Sequence, residues 1–401
     1  MKKIYTPLLL VLTSSTLINA QNFWLQRANF GGNPRSGCTC FSIGTLGYMG
    51  LGWDGSSAKS DFWEFNPTTN VWTQKANFTG SARLNAAGFA IGTKGYIGTG
   101  LSGSTKFNDF YEYDQATNSW SQKASFPGTG RYGVAAMAIG SKGYMGLGTN
   151  GSSCYNDFYE YDPSNNTWLS RTNFPGAVRN GVAGFGILTK GFVGMGSNAA
   201  INQTYSDLYM FDPANNSWTQ KANFPGPPRT NFAAFTINTN GYVGAGINYT
   251  TNTRYNDFWE YFPSVDQWIQ RASFGGTPRT SVGFFIGTKG YMGTGDDGNW
   301  TNDFWEYTTL ENVGVDELTN QISVAVFPNP FTQSTTVEVD NQGELSVTAI
   351  KVFDMDGKQV FPSITSNQDG YIINRGDLSS GIYLIQVETK KGLETQKVVI
   401  Q

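Results

Sequence analysis

The chain contains no histidine in 401 residues and has three cysteines. Without an imidazole, histidine-ligated metal centres and histidine general bases are excluded at the outset. Charge is scarce as well, at 14% of residues against roughly 25% in an ordinary soluble protein. The formal net charge is −3 and no basic block occurs, so nucleic acid is not expected as a partner. Beyond residue 20 no apolar run approaches the length of a membrane span. No segment shows a sustained 3.6-residue apolar period, which excludes a helical solenoid. What the chain does have is glycine, asparagine, serine and threonine, with 15% aromatics. That composition is turn-rich and β-rich, since a disordered chain has few aromatics.

One segment of about 48 to 50 residues recurs six times, up to roughly residue 307. Gly-aromatic pairs mark the copies: Gly47-Tyr48, Gly95-Tyr96, Gly143-Tyr144, Gly191-Phe192, Gly241-Tyr242 and Gly290-Tyr291. Trp24, Trp72, Trp120, Trp168, Trp218 and Trp268 keep the same period. So do Arg35, Arg83, Arg131, Arg179, Arg229 and Arg279. A fixed period of this length signals one supersecondary unit that needs neighbours to cover its apolar faces. Each copy carries four short β-type runs separated by turn residues; in the second they are Ala86–Ile91, Gly95–Gly100, Phe110–Tyr113 and Trp120–Ala124. Four antiparallel strands repeated radially make a propeller blade. The sixth copy ends without its tryptophan strand, and an unpaired strand, Phe23 to Ala28, stands before the first. The N-terminal strand is therefore expected to complete the sixth blade and remove two open sheet edges.

These marks resemble the kelch family: an arginine opening the first strand, a Gly-Tyr pair in the second, and Tyr161-Asp162-Pro163 through Asn166 to Trp168. The resemblance implies a six-bladed kelch-type β-propeller over residues 21–309. The sequence departs from the family pattern in one consistent way, with Gly-X-Gly (Gly50 and Gly52, Gly98 and Gly100, Gly146 and Gly148) where kelch repeats have adjacent glycines. The neighbouring-blade contact is expected to differ there. Cys38 and Cys40 fall where other copies hold Ala86 and Gly88 or Val134 and Ala136, so they read as buried small side chains. The odd count, with Cys154, argues against a disulfide framework. No cofactor and no metal are expected.

Strand direction puts the repeated arginines, the loops between second and third strands, and Asp61, Asp109, Asp157, Asp207, Asp257 and Asp303 on one face. Mutual ion pairing of that arginine ring with the aspartates is the favoured expectation, against an anion-capturing channel mouth. The second-to-third loops vary most between copies, and recognition usually resides in such loops. The ligand-binding candidates on them are Trp53, Tyr205, Tyr249, Arg254 and Trp300. Asp296 and Asp297 beside Gly298 hint at a cation loop, although calcium needs six to eight oxygens. Glu64, Glu112, Glu160, Glu260 and Glu306 share one third-strand position, and such even repetition reads as structural.

The two ends concern address. Residues 1–20 read as a signal peptide, with Lys2 and Lys3, an apolar stretch from Leu8 to Leu12, and Ala20 before the cut. Residues 310–321 read as a linker. From 322 to 401 the pattern becomes a small immunoglobulin-like β-sandwich. Phe327-Pro328-Asn329-Pro330-Phe331, Val352 through Lys358, Leu378 through Tyr383 and Lys397-Val398-Val399-Ile400 resemble the C-terminal sorting domain of type IX secretion cargo. That resemblance implies an encounter with the type IX machinery and release or attachment at the outer surface of a Gram-negative cell. The expected function is a secreted or surface binding and adhesion module for a glycan or a protein. The alternative is a metal-free carbohydrate-active enzyme, an isomerase or hydrolase. No catalytic constellation is legible, so a non-enzyme is the expectation.

Overall fold

The computed structural model describes residues 23–309, 324–339, 347–354, 358–367, 370–389 and 392–401. The expected signal peptide at 1–20, the linker at 310–321 and the Met355–Gly357 part of one tail motif lie outside them. The chain divides into two compact units, Met1–Asn312 and Val313–Gln401. The first holds six four-stranded sheets, numbered here as blades 1 to 6, and the second holds two four-stranded sheets.

Blade 2 shows the pattern: Ala87–Ile91, Lys94–Gly98, Phe110–Asp114 and Ser119–Lys123 pair in antiparallel succession. The six inner strands, from Thr39–Ile43 to Val282–Ile286, each touch the strand before and after, and the last touches the first. They surround a central channel. Where six strands converge, the side chains towards the axis are mostly small, as with Gly88 and Ala90 on either side of Phe89; Phe285 of blade 6 is the large exception. Phe89 turns the other way and is buried.

That outward phenylalanine explains the Gly-aromatic repeat. A Cβ on Gly143 would fall 2.2 Å from the Phe89 ring of the preceding blade. Gly95 meets Phe41, and Gly47 of blade 1 meets Phe284 of blade 6 at the same 2.2 Å. Any other residue there would wedge two blades apart. Around these glycines each core cluster is built from two adjacent blades; Phe41, Tyr48 and Phe62 pack with Ile97, Tyr113 and Phe78.

Gly-X-Gly supplies a second inter-blade joint. The second glycine has positive φ, +89° in Gly148 and +126° in Gly295, a region open to glycine at little cost. Its N–H donates to the arginine carbonyl of the next blade: Gly52 to Arg83 at 2.8 Å, Gly148 to Arg179 at 2.9 Å, and Gly295 to Arg35 at 2.8 Å. The last of these closes the circle. So does the N-terminal strand. Phe23–Arg27 pairs with Trp300–Thr308 in the sixth sheet, with Trp24 opposite Tyr307. The Trp24 indole donates to Ala272 O at 3.0 Å, as Trp72 does to Ala28 O and Trp168 to Ala124 O.

The second unit pairs Val324–Phe327, Ser334–Val339, Gly370–Asn374 and Ile364–Asn367 in one sheet. The other holds Gln359–Val360, Val347–Asp354, Gly381–Thr389 and Gly392–Ile400. Val337, Val352, Ile373, Ile385 and Val398 fill the core. Gln359–Val360 and Ile364–Asn367 escaped the sequence reading, because neither offers an alternating apolar run.

Candidate functional site

The repeated arginines are the most heavily engaged side chains of the propeller. Arg131 donates from Nη1 to Asp157 Oδ1 at 2.5 Å and from Nη2 to Oδ2 at 3.0 Å. Its Nε donates to Thr129 O and its Nη1 also to Leu147 O. The same two-pronged pair joins Arg35 to Asp61, Arg83 to Asp109, Arg179 to Asp207, Arg229 to Asp257 and Arg279 to Asp303. All six arginines are buried, each against a phenylalanine such as Phe126. Burial pushes the Asp61 carboxyl up, but the bonds from Arg35 and the Trp63 indole outweigh it and hold the group low. The ring is thus internal masonry whose charges are matched one to one.

Just inside it, residues one or two positions before each inner strand form a collar. Asn85 N donates to Gly37 O, Gly133 N to Asn85 O, Gly181 N to Gly133 O, Asn231 N to Gly181 O and Ser281 N to Asn231 O, at 2.9 to 3.3 Å. The collar rims a cavity of about 280 Å³ at the loop-bearing mouth of the channel. Ser36, Asn85, Asn231, Thr280, Ser281, Tyr249 and Asp296 give the cavity its polar groups, and Cys38, Val134, Phe232 and Val282 its apolar ones. Asn85 and Asn231 escaped the sequence reading. The signal was the position two after each arginine, which changes between glycine, asparagine and serine.

The loop candidates separate in the structure. Tyr249 is 59% exposed yet lines the cavity. Its hydroxyl accepts from Asn231 Nδ2 at 3.1 Å, and burial of that tip pushes the phenol up. Trp300 is 43% exposed and leans on Gly55 of the next loop, where a Cβ would lie 3.1 Å from its ring. Arg254 is spent on Asp296, donating to both carboxylate oxygens at 3.1 Å and to its carbonyl at 3.0 Å. Tyr205 is half-buried and lies 3.9 Å under the Arg179 guanidinium. Trp53 is half-buried and exchanges both backbone bonds with Ser36. Tyr249 and Asp296 meet at the mouth; Tyr205 and Trp53 do not join them.

Asp296 is the carboxylate of the cavity wall, and Asp297 turns to Thr277 Oγ1 at 2.6 Å. Among the described residues no group of three or more acidic or cysteine side chains is placed to hold a metal ion. The third-strand glutamates lie away from the mouth, bound to tyrosines and cations: Glu64 to Tyr48, Glu112 to Tyr96, Glu260 to Tyr242 and Arg271. Cys38 is buried just before the first inner strand, where burial pushes its thiol up to about 11, and Cys40 is half-buried within that strand.

The KLHDC2/KLHL20/DRC7 Kelch-repeats domain model matches residues 82–227. The secretion system C-terminal sorting domain model matches residues 325–401. This chain carries a kelch-repeat domain at 82–227 and a secretion sorting domain at 325–401. The sorting domain implies contact with the type IX secretion machinery and a destination outside the cell or on its surface. No helix among the described residues is long and apolar enough to cross a membrane. The kelch unit resembles the solved structure of YjhT at a TM-score of 0.60 and 18% identity, covering 69% of this chain and 95% of that one. At that identity the likeness is one of fold. An endo-acting ulvan lyase from Formosa agariphila is 31% identical over 97 residues, which are 24% of this chain. The chain spans 18% of that protein's length.

Proposed function

We propose that the exported protein is a binding module and that its ligand, a glycan or a protein, seats at the loop-bearing mouth of the kelch propeller. The observation that supports this most is Tyr249. An aromatic ring stands more than half exposed over a cavity of about 280 Å³, its hydroxyl anchored by Asn231. Tyrosine offers a large contact area with little rotamer freedom to lose. The amides and hydroxyls around it give directional bonds without charge.

The second reading, a metal-free carbohydrate-active enzyme, draws on the partial identity with the ulvan lyase. Its chemistry needs paired carboxylates or another acid and base in reach of one bond. Among the residues lining the cavity the carboxylate is Asp296, already held by Arg254.

The experiment is a glycan and protein binding panel on the mature chain, with product analysis on each hit. Binding that weakens at least about tenfold in Tyr249→Ala, without turnover, supports the module. Turnover abolished by one carboxylate substitution favours the enzyme. Binding indifferent to Tyr249 places the ligand elsewhere and ends the proposal.

A further inference from the structure

The six loops around the mouth are not equivalent. In blades 1 to 3 the exposed tips are Gly55-Ser56-Ser57, Gly103-Ser104-Thr105 and Gly151-Ser152-Ser153. In blades 4 to 6 each tip carries one large exposed apolar side chain: Ile201 at 65%, Tyr249 at 59% and Trp300 at 43%. Half of the rim is small and polar. The other half is a run of three apolar platforms on three consecutive blades.

The three tips are also braced to one another or to a neighbour. Thr250 Oγ1 donates to Asn202 Oδ1 at 3.0 Å, tying the loop of blade 5 to that of blade 4. Arg254 ties blade 5 to blade 6 through Asp296. Trp300 rests on Gly55 of blade 1. Bracing of this kind keeps exposed hydrophobic side chains from collapsing together, and a pre-ordered surface binds at lower entropic cost. Exposed apolar side chains kept in ordered positions on a rim mark a recognition surface.

Most of the charge on the same face is paired, and Lys106 and Asp297, which bond to neutral groups, are of opposite sign. Arg254 is paired with Asp296, Lys59 with Asp54, and the six buried arginines with their aspartates. Lys106 Nζ donates to Ser104 O at 2.9 Å on the polar half. A polyanionic ligand would find little field to bind.

Resting on the binding reading above, we infer that the ligand is an uncharged oligosaccharide chain of at least three units. It lies along the arc from Ile201 across Tyr249 to Trp300, rather than a single sugar inserted in the channel. The ring at Tyr249 takes the central unit, whose hydroxyls reach Asn231 and Asp296. Ile201 and Trp300 take the units on either side. Sugar rings present C–H faces to such side chains and hydroxyls to the amides, which matches an arc of apolar faces beside the paired Arg254 and Asp296.

The test is calorimetric titration of the mature chain with uncharged oligosaccharides of one to six units. A polyuronate of six units and an uncharged extended peptide serve as comparators. Ile201→Ala, Tyr249→Ala and Trp300→Ala are titrated in parallel, with circular dichroism as the folding check. The inference expects affinity to rise at least about tenfold between one unit and three or more. It expects Ile201→Ala and Trp300→Ala to weaken the longer chains several-fold while leaving a single unit unchanged. Raising salt from about 0.05 to 0.5 M should alter affinity less than about twofold. Affinity independent of length, steep salt dependence or preference for the polyuronate overturns the chain inference and leaves the binding module standing. Preference for the peptide overturns it also, in favour of a protein ligand. No response to Tyr249→Ala with any ligand, or no binding at all, overturns both.

Discussion

Tyr144 donates its hydroxyl to Glu160 at 2.7 Å, and the Arg171 guanidinium grips the same carboxylate oxygen. Four other blades keep the tyrosine–glutamate pair, at Tyr48–Glu64, Tyr96–Glu112, Tyr242–Glu260 and Tyr291–Glu306. Blade 4 replaces both members together, with Phe192 directly opposite Met210. A buried polar group costs free energy when its partner is missing, so the positions change as a unit. Met210→Glu alone should destabilise the protein by about 1–3 kcal/mol. Adding Phe192→Tyr should recover a coupling of about 0.5–3 kcal/mol, read from a double-mutant cycle of denaturant midpoints.

The arginine–aspartate joints predict a sharper loss. Asp157→Ala would leave the buried Arg131 guanidinium without its counter-ion, a change that typically costs about 3–5 kcal/mol. Asp157→Asn keeps an acceptor and should cost less. Thermal unfolding of both variants checks the ranking, and equal midpoints would mean that the ion pair adds little beyond hydrogen bonding.

Ring closure depends on the N-terminal strand. Deleting residues 21–28 removes the outer strand of the sixth sheet and the Trp24–Ala272 bond. It also bares the edge of Trp300–Thr308, which invites pairing with other chains. The truncated chain should unfold at markedly lower temperature and aggregate. An unchanged unfolding midpoint would show that the wheel closes without that strand.

Acid should act on the same seam. Burial pushes the Glu306 carboxyl up, but bonds from Lys289, Arg27 and Tyr291 prevail and hold it below its ordinary 4.5. A depressed carboxyl stabilises the fold fully above its unfolded value and ceases to do so as pH falls through the folded one. The unfolding midpoint should therefore fall as pH drops below about 4.5, with Asp61 contributing in the same direction. Glu306→Gln should lower the midpoint at neutral pH and flatten its dependence on acid. A parallel decline in both proteins would assign the acid effect to other groups.

The contrast between the glycines and the loops shows what a sequence of this kind reveals. Gly143, Trp168 and Arg131 recur because each makes a contact that every blade must make, so a period in sequence is a joint in space. The kelch resemblance follows from the same regularity, whereas the sorting resemblance rests on motifs that occur once each in the tail. The mouth was harder to read, since its residues belong to the parts that do not repeat. Tyr205 and Tyr249 look alike as loop tyrosines, yet one lies beneath Arg179 and the other faces solvent. Arg254 finds Asp296 from a different blade, 42 residues away. The short pairings Leu101–Ser102 with Thr105–Lys106 and Ile247–Asn248 with Thr253–Arg254 also left no periodic trace.

The channel has a second opening, which makes a decisive comparison available. Its far end holds a cavity of about 250 Å³ lined by Phe41, Phe89, Phe185, Phe235 and Phe285 with small residues between them. A crystal structure of the protein with its tightest oligosaccharide would show which end is used. The account predicts sugar rings over Tyr249, extending towards Ile201 and Trp300. Sugar lodged against Phe285, with the loop rim bare, would contradict it.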